Sequence, residues 1–233
     1  MNRRTLLRTL PSTFLLGRSL FAINPAQTQS AGPVISESIE WTWPVRPSPL
    51  DATLPNVMLI GDSITRAYRL EVSRLLAGKA NCYLFATSAA SGDPRLTHQL
   101  EELTALFPIP FAIVHFNNGM HGWGYTEAQY ASGLPTLLSA IRRFAPESKL
   151  IWASTTPVRK DSTTGSATNA RIVARNLAAA TLMQSSKIPI DDQHALMLDH
   201  QNLHADDVHF NPDGSAIQAA QVFASLLPLL AAK

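Results

Sequence analysis

Short apolar runs alternate with longer amphipathic stretches from Val57 onward. The first run, Val57 to Ile60, breaks at Gly61-Asp62-Ser63, which predicts a buried strand ending in a small-residue turn. Ile64 to Ala77 then places Ile64, Tyr68, Val72 and Leu75-Leu76 on one stripe, the spacing of an amphipathic helix. The alternation continues with a strand over Ala80–Thr87 and a helix over Leu96–Phe107. Phe111–Phe116 is apolar enough for a strand buried on both faces. Thr126–Phe144 reads as a helix, Lys149–Ser154 as a strand, Asn169–Ser186 as a helix and Ile188–Ile190 as a short strand. Lys160 to Thr168 is polar and reads as a loop. Pro212–Leu230 closes as a helix whose last turn Pro228 should end or kink. Strand and helix in turn over this length imply an α/β fold, a three-layer α/β/α sandwich on a parallel sheet.

The pattern changes before Val57. Residues 32–55 are rich in proline and polar residues and read as an extended lead-in. Trp41-Thr42-Trp43-Pro44 alternates, so one face carries two indoles. These form either a platform for a sugar or, the preferred reading, a segment packed over the domain edge. Residues 1–31 open on Met1-Asn2-Arg3-Arg4, continue in a moderately apolar stretch from Thr5 to Ile23, and offer small residues at Ala22, Ala26 and Ala31. That is the layout of an export signal, and Arg3 to Arg8 resembles the twin-arginine type. Pro11, Gly17 and Arg18 interrupt the apolar stretch and argue against a membrane span, so none is expected after processing. The expected location is periplasmic or extracellular.

The leader also changes the charge. The chain holds 19 basic and 17 acidic residues, and four of the basic ones (Arg3, Arg4, Arg8, Arg18) lie in the leader. Without them fifteen remain against seventeen acidic, a net of −2. No basic stripe then points to nucleic acid. At 233 residues with 45% apolar, a single domain over 56–233 is expected and has enough core to stand alone. Cys82, the single cysteine, excludes an intramolecular disulfide and a cysteine-based metal site; its apolar run suggests a buried structural thiol.

The candidate chemistry lies where strands end. Ser63 falls at the carboxyl end of the first buried strand and the start of a helix, where ligands bind in open α/β sheets. The helix N-terminus there would stabilise an anion. Taken alone, Gly-Asp-Ser is also an ordinary turn with Asp62 or Ser63 as N-cap. Ser88 to Asp93 follows the second strand, and Gly92 allows close backbone approach to a ligand. His115 to Gly122 follows the third. Asn is depleted in strands, so Asn117 and Asn118 suggest an amide donor for an oxyanion; Asn-Gly is equally a turn. Asp206-Asp207-Val208-His209 precedes the last helix. A carboxylate three residues before an imidazole can accept its Nδ1–H and leave Nε2 to take a proton, although a capping turn has the same composition.

A Ser, a backbone Gly, an Asn and an Asp-x-x-His turn in separate loops resemble the SGNH hydrolase (GDSL-type esterase) superfamily from about Val57 onward. The resemblance implies a flavodoxin-like parallel sheet and an ester hydrolase without metal or organic cofactor. It implies Ser63 as nucleophile, His209 as general base and Asp206 as its orienting carboxylate. Ser63 N–H, Gly92 N–H and the Asn118 amide would form the oxyanion hole. The commonest third block of the family is Gly-x-Asn-Asp, whereas this chain reads FNNGMHG, so Asn117 is an alternate to Asn118. Neighbouring side chains in a strand point opposite ways, so at most one enters the pocket. Asp62, His121 and Thr156 are further candidates to line it. The FNNG…HG form and the DDVHF ending resemble a bacterial branch found among carbohydrate-active enzymes, which suggests acetyl or other short acyl esters, on a small molecule or a carbohydrate.

Two other readings share these residues. Acyl transfer to a sugar hydroxyl would use the same set. A secreted carbohydrate-binding protein with an inactive site would have no need of it. The histidines His194, His200, His204 and His209 match no familiar zinc spacing. His115 sits in a strand expected to be buried and reads as a satisfied core histidine. Oligomeric state has no signature in the sequence.

Overall fold

Val57 and Leu59 of the central strand pack on one side of the sheet and Met58 and Ile60 on the other, all four buried. This is the period-two consequence of a strand covered on both faces. The computed structural model describes residues 34–164 and 166–231. The export-signal segment 1–31 lies outside the described residues.

The elements in order are β1 (Thr42–Val45), β2 (Asn56–Gly61), α1 (Ser63–Leu75), β3 (Asn81–Thr87), α2 (Arg95–Leu106), β4 (Ile113–Phe116), α3 (Glu127–Phe144), β5 (Lys149–Ala153), α4 (Asn169–Ser185), β6 (Ile190–Asp191), α5 (Gln193–Leu198), a 3-10 turn over Gln201–Leu203, and α6 (Pro212–Ala231). The sheet order is β1-β3-β2-β4-β5-β6, with β2 to β6 parallel. Helices α1 and α6 cover the Val57 face. Helices α2, α3 and most of α4 cover the Met58 face. The parallel strands have the flavodoxin order, which reverses direction between β2 and β4. The crevice at that reversal is where ligands bind in such sheets. Ser63 follows β2 and Asn117-Asn118 follow β4, so both border it.

Three details depart from the reading of the sequence. The lead-in contributes β1, antiparallel to β3 with Thr42 opposite Thr87 and Val45 opposite Leu84, so the sheet is mixed. Four residues containing a proline give too weak a signal for a strand, and an edge position tolerates that proline. Its indoles face the α1 side: Trp41 packs on the core and Trp43 stays half-exposed. The last strand is Ile190–Asp191 rather than Ile188–Ile190. Pro228 does not end the last helix, which runs to Ala231. The proline removes one N–H, and burial of Val222 and Leu226 holds the helix in place. Helix α6 is also the one described helix long and apolar enough, by length and composition, to cross a membrane.

Two glycines bring the site loops close. A Cβ on Gly61 would lie 2.0 Å from Thr65 Oγ1, so a side chain there would push α1 away from the end of β2. A Cβ on Gly133 of α3 would lie 1.9 Å from the Ser91 carbonyl oxygen, so the loop after β3 rests on α3 backbone. Ser91 Oγ donates to the Tyr130 carbonyl 2.9 Å away and fastens it there.

Candidate active site

Ser63 is the first residue of α1. Asp62 is its N-cap, the carboxylate accepting from Ile64 N at 2.9 Å. The cap fixes the first turn and leaves Ser63 Oγ at the surface of the crevice. There it meets His209 Nε2 at 2.7 Å. The other ring nitrogen, Nδ1, lies 2.8 Å from Asp206 Oδ2. The order carboxylate, imidazole, hydroxyl is unbroken across 146 residues of sequence.

The local turn explains why Asp206 and His209 meet. Asp206 Oδ1 accepts from Val208 N at 2.7 Å and His209 N at 2.6 Å, closing an Asx-type turn. Ala205 N donates to His209 O at 2.8 Å, and a bridge pairs His204 with Phe210. The His204 ring stacks on Phe210 with centroids 4.0 Å apart. Arg159 N donates to Asp207 O at 2.9 Å and ties the turn to the loop after β5. Partial burial pushes the Asp206 carboxyl up, but the His209 and Val208 N–H groups and the His209 ring outweigh it and hold the pKa at about 2.

The two asparagines separate by their partners. Asn117 is buried and both Nδ2 hydrogens are spent, on Ala153 O at 2.8 Å and Thr155 Oγ1 at 3.1 Å. Asn118 is half-buried. Its Oδ1 accepts from Ser91 N at 2.6 Å and its Nδ2 donates to Ala89 O at 2.9 Å. Those partners fix which end of the amide is nitrogen. One Nδ2 hydrogen of Asn118 is left without a partner among the described residues. The same two bonds bind the Ser88–Asp93 loop, with half-buried Gly92, to the end of β4.

Residues 59–217 match the profile of the GDSL-like lipase/acylhydrolase family. The chain belongs to that family. The match opens four residues before Ser63 and runs past His209, so it spans the whole relay. The hydrolase is similar in fold to a member of the lipolytic G-D-S-L family from Veillonella parvula, at 15% identity and a TM-score of 0.61 over 74% of this chain and 98% of that one. A GDSL-like lipase from Bacteroides thetaiotaomicron gives 14% and 0.60 over 78% and 92%. A carbohydrate esterase of family 3 from Talaromyces cellulolyticus gives 19% and 0.56 over 76% and 98%. No curated protein matches the chain significantly.

Around the relay, the hydrolase carries two groups that its sequence pattern did not single out. Glu37 accepts from His121 Nδ1 at 2.8 Å and from Gly122 N at 2.7 Å, which anchors the lead-in to the loop after β4. Burial disfavours a charged His121. The Glu37 hydrogen bond and the nearby Asp62, Glu37 and Glu40 carboxylates outweigh it, and the pKa lies above the ordinary imidazole value. Glu37 sits in a polar stretch without periodicity, so nothing in the sequence marks it.

Arg175 of α4 is fully buried. It donates to the carbonyls of Gly119 at 3.0 Å, His121 at 2.7 Å and Gly122 at 3.0 Å, with its guanidinium 4.1 Å from the Trp123 ring centroid. Burial pulls its pKa down to about 10. Here a signal existed: Arg175 falls on the buried stripe of Ile172, Ala179 and Met183. A charge on a core stripe requires a reason. Thr156 follows β5. It is buried and lines a small cavity of about 10 Å³ with Thr65, Tyr68, Gln193 and Gln218. Asp62 is likewise buried, and its Oδ2 has no hydrogen-bond partner among the described residues.

Proposed function

We propose that this hydrolase is a serine esterase that works through an acyl-enzyme on Ser63. The observation that carries the reading is the relay, 2.8 Å from Asp206 to His209 and 2.7 Å from His209 to Ser63 Oγ. His209 Nε2 takes the Ser63 proton as Oγ attacks the ester carbonyl. Asp206, ionised far below neutral pH, holds the tautomer with Nε2 free and steadies the imidazolium. The tetrahedral oxyanion is received by Ser63 N–H, Gly92 N–H and the uncommitted Asn118 Nδ2–H, each such donor worth on the order of 3 kcal/mol of barrier. His209 returns the proton to the leaving alcohol. Water, activated the same way, then releases the acid and restores Ser63.

The reading extends to short acyl esters, on small molecules or on a sugar. The carbohydrate esterase among the structural neighbours and the half-exposed Trp43 against Arg66 of α1 support it. The basic-then-apolar order of residues 1–31 supports export, which fractionation of cells expressing the full chain tests. The esterase reading is tested by intact mass and peptide mapping after exposure to a serine-directed fluorophosphonate. One adduct on Ser63, lost in His209→Ala, is expected. A folded protein that takes no adduct overturns the mechanism.

A further inference from the structure

Ser63 has a second flank. Along α1, Ala67, Leu70 and Arg74 border Phe210 and Pro212, the side of the His209 turn. Arg66, about one turn beyond Ser63, leaves the helix toward β1 instead. Its Cζ lies 5.0 Å from the Trp43 ring centroid and 5.5 Å from that of Trp41. The Trp41 ring meets His121 edge-on at 5.7 Å. The indoles therefore run continuously from Arg66 to the loop that carries Asn118.

Arg66 is exposed, and among the described residues its guanidinium has no hydrogen-bond or carboxylate partner. One turn on, Arg69 reaches the Cys82 carbonyl at 3.4 Å and has no carboxylate partner among the described residues either. Arg74, Arg95 and Arg159 are paired with Glu71, Asp93 and Asp207. Of the acids on this side, Glu37 holds His121, Glu40 holds Arg95, and Asp62 is buried and caps α1 through Oδ1. A guanidinium resting on aromatic rings is weakly hydrated and held in orientation, while N–H donors at its edge stay open to a planar anion. That is a preorganised fork for a carboxylate.

We propose that Arg66, braced on Trp41 and Trp43, binds a carboxylate carried by the ester substrate, so that the enzyme selects anionic esters over neutral ones of similar size. The inference rests on the esterase reading above. It names the charge of the substrate, which the relay by itself leaves open.

Two matched pairs of esters test it and separate the acyl from the alcohol side. They are 4-nitrophenyl hemisuccinate against 4-nitrophenyl pentanoate, and 4-acetoxybenzoate against 4-acetoxybenzamide. The quantity read is the anionic-to-neutral ratio of kcat/KM. In Arg66→Gln this ratio should fall about ten-fold or more in one pair, through KM, as expected for a lost charged hydrogen bond. Arg66→Lys, which keeps the charge without the fork, should fall between, and added salt should lower the wild-type ratio. Near-UV circular dichroism checks the fold of both variants; should the Gln variant not fold, the Lys variant carries the test. A ratio within about two-fold of wild type in both pairs overturns the subsite. If Ser63-dependent hydrolysis stands in that case, only the subsite falls. If the wild type hydrolyses none of the four esters, the esterase reading falls and takes the subsite with it.

Discussion

Two histidine–carboxylate pairs of nearly equal length sit in one molecule, His209–Asp206 at 2.8 Å and His115–Asp191 at 2.9 Å. Their side chains differ in exposure: 39% and 58% for the first, 0% and 0% for the second. They also differ at the other ring nitrogen. His209 presents Nε2 to Ser63 Oγ, whereas the buried His115 has no partner for Nδ1 among the described residues. Asp191 is further held by Gln221 Nε2 at 2.7 Å and Gln193 Nε2 at 3.0 Å. A pair of this kind is therefore a neutral piece of construction until access and a third group give it a task. The first pair has both. The second joins β4 to β6 across the α1 face of the sheet, and its expected contribution is to stability.

The sharpest test of that contrast removes one histidine. His209→Ala should lower kcat by about four to six orders of magnitude, the loss expected when a member of a working triad is removed. Its urea midpoint should barely move. Asp206→Asn should cost less, about three to four orders. A His209→Ala protein retaining a tenth of wild-type turnover on an aryl acetate would break the contrast at once. Next in size is the buried pair. Asp191→Ala leaves the buried His115 ring without its carboxylate partner and should cost about 1–3 kcal/mol of stability, read by urea denaturation. Turnover per folded molecule should stay close to wild type, because His115 and Asp191 are sealed from solvent and the Ser63–His209–Asp206 relay does not pass through them.

How much of this the sequence disclosed follows the same line. His115 was legible as a core residue because its neighbours form a buried strand; its partner was not, because Asp191 lies 76 residues away. Asp206 and His209 were legible together because three residues separate them and a turn closes that distance locally. Ser63, Gly92 and Asn118 were each legible as loop residues at strand ends. That Ser63 and Asn118 border one crevice depends on the strand order, which alternation implies only in outline. The sheet and its flanking helices follow from periodicity, and β1 does not. Its four residues include Pro44, and its position is set by pairing with β3 and by Arg66 against the indoles. Glu37 and Arg175 act through long-range contacts to the loop after β4, and only Arg175 carried a warning, as a charge on an apolar stripe.

The adjacent asparagines repeat the contrast on a smaller scale. Asn118→Ala removes the amide with a free hydrogen and should lower kcat by about 10²–10³-fold with KM nearly unchanged, as for other oxyanion donors. Asn117→Ala removes an amide spent on Ala153 O and Thr155 Oγ1. It should cost about 1–3 kcal/mol of stability, since it orphans a buried carbonyl. Steady-state kinetics and a urea curve on each variant decide between the roles. If the kinetic loss belongs to Asn117 instead, the oxyanion site is rebuilt around the other residue.

The smallest effect separates the two carboxylates by pH. Both carboxyls lie below the ordinary value: Asp206 at about 2, and Asp191 because the His115 ring, Gln193 and Gln221 outweigh the upward push of burial. A carboxyl depressed by folding contributes stability that is fully present above its unfolded pKa and is lost as pH falls through the folded one. For an aspartate that window opens near pH 4, so neither group should tilt the stability curve between pH 5 and 8. Below pH 4, each fully coupled carboxyl adds at most about 1.4 kcal/mol per pH unit to the slope. Asp191 is sealed from water and should approach that slope. Asp206 is more than half exposed, and solvent screens its share. Asp191→Asn should therefore flatten the acid limb of urea stability between pH 4 and 2 more than Asp206→Asn does, while Asp206→Asn costs far more turnover at neutral pH. If the Asp206 variant flattened the limb more, the exposed pair would be holding the fold as well as serving the crevice.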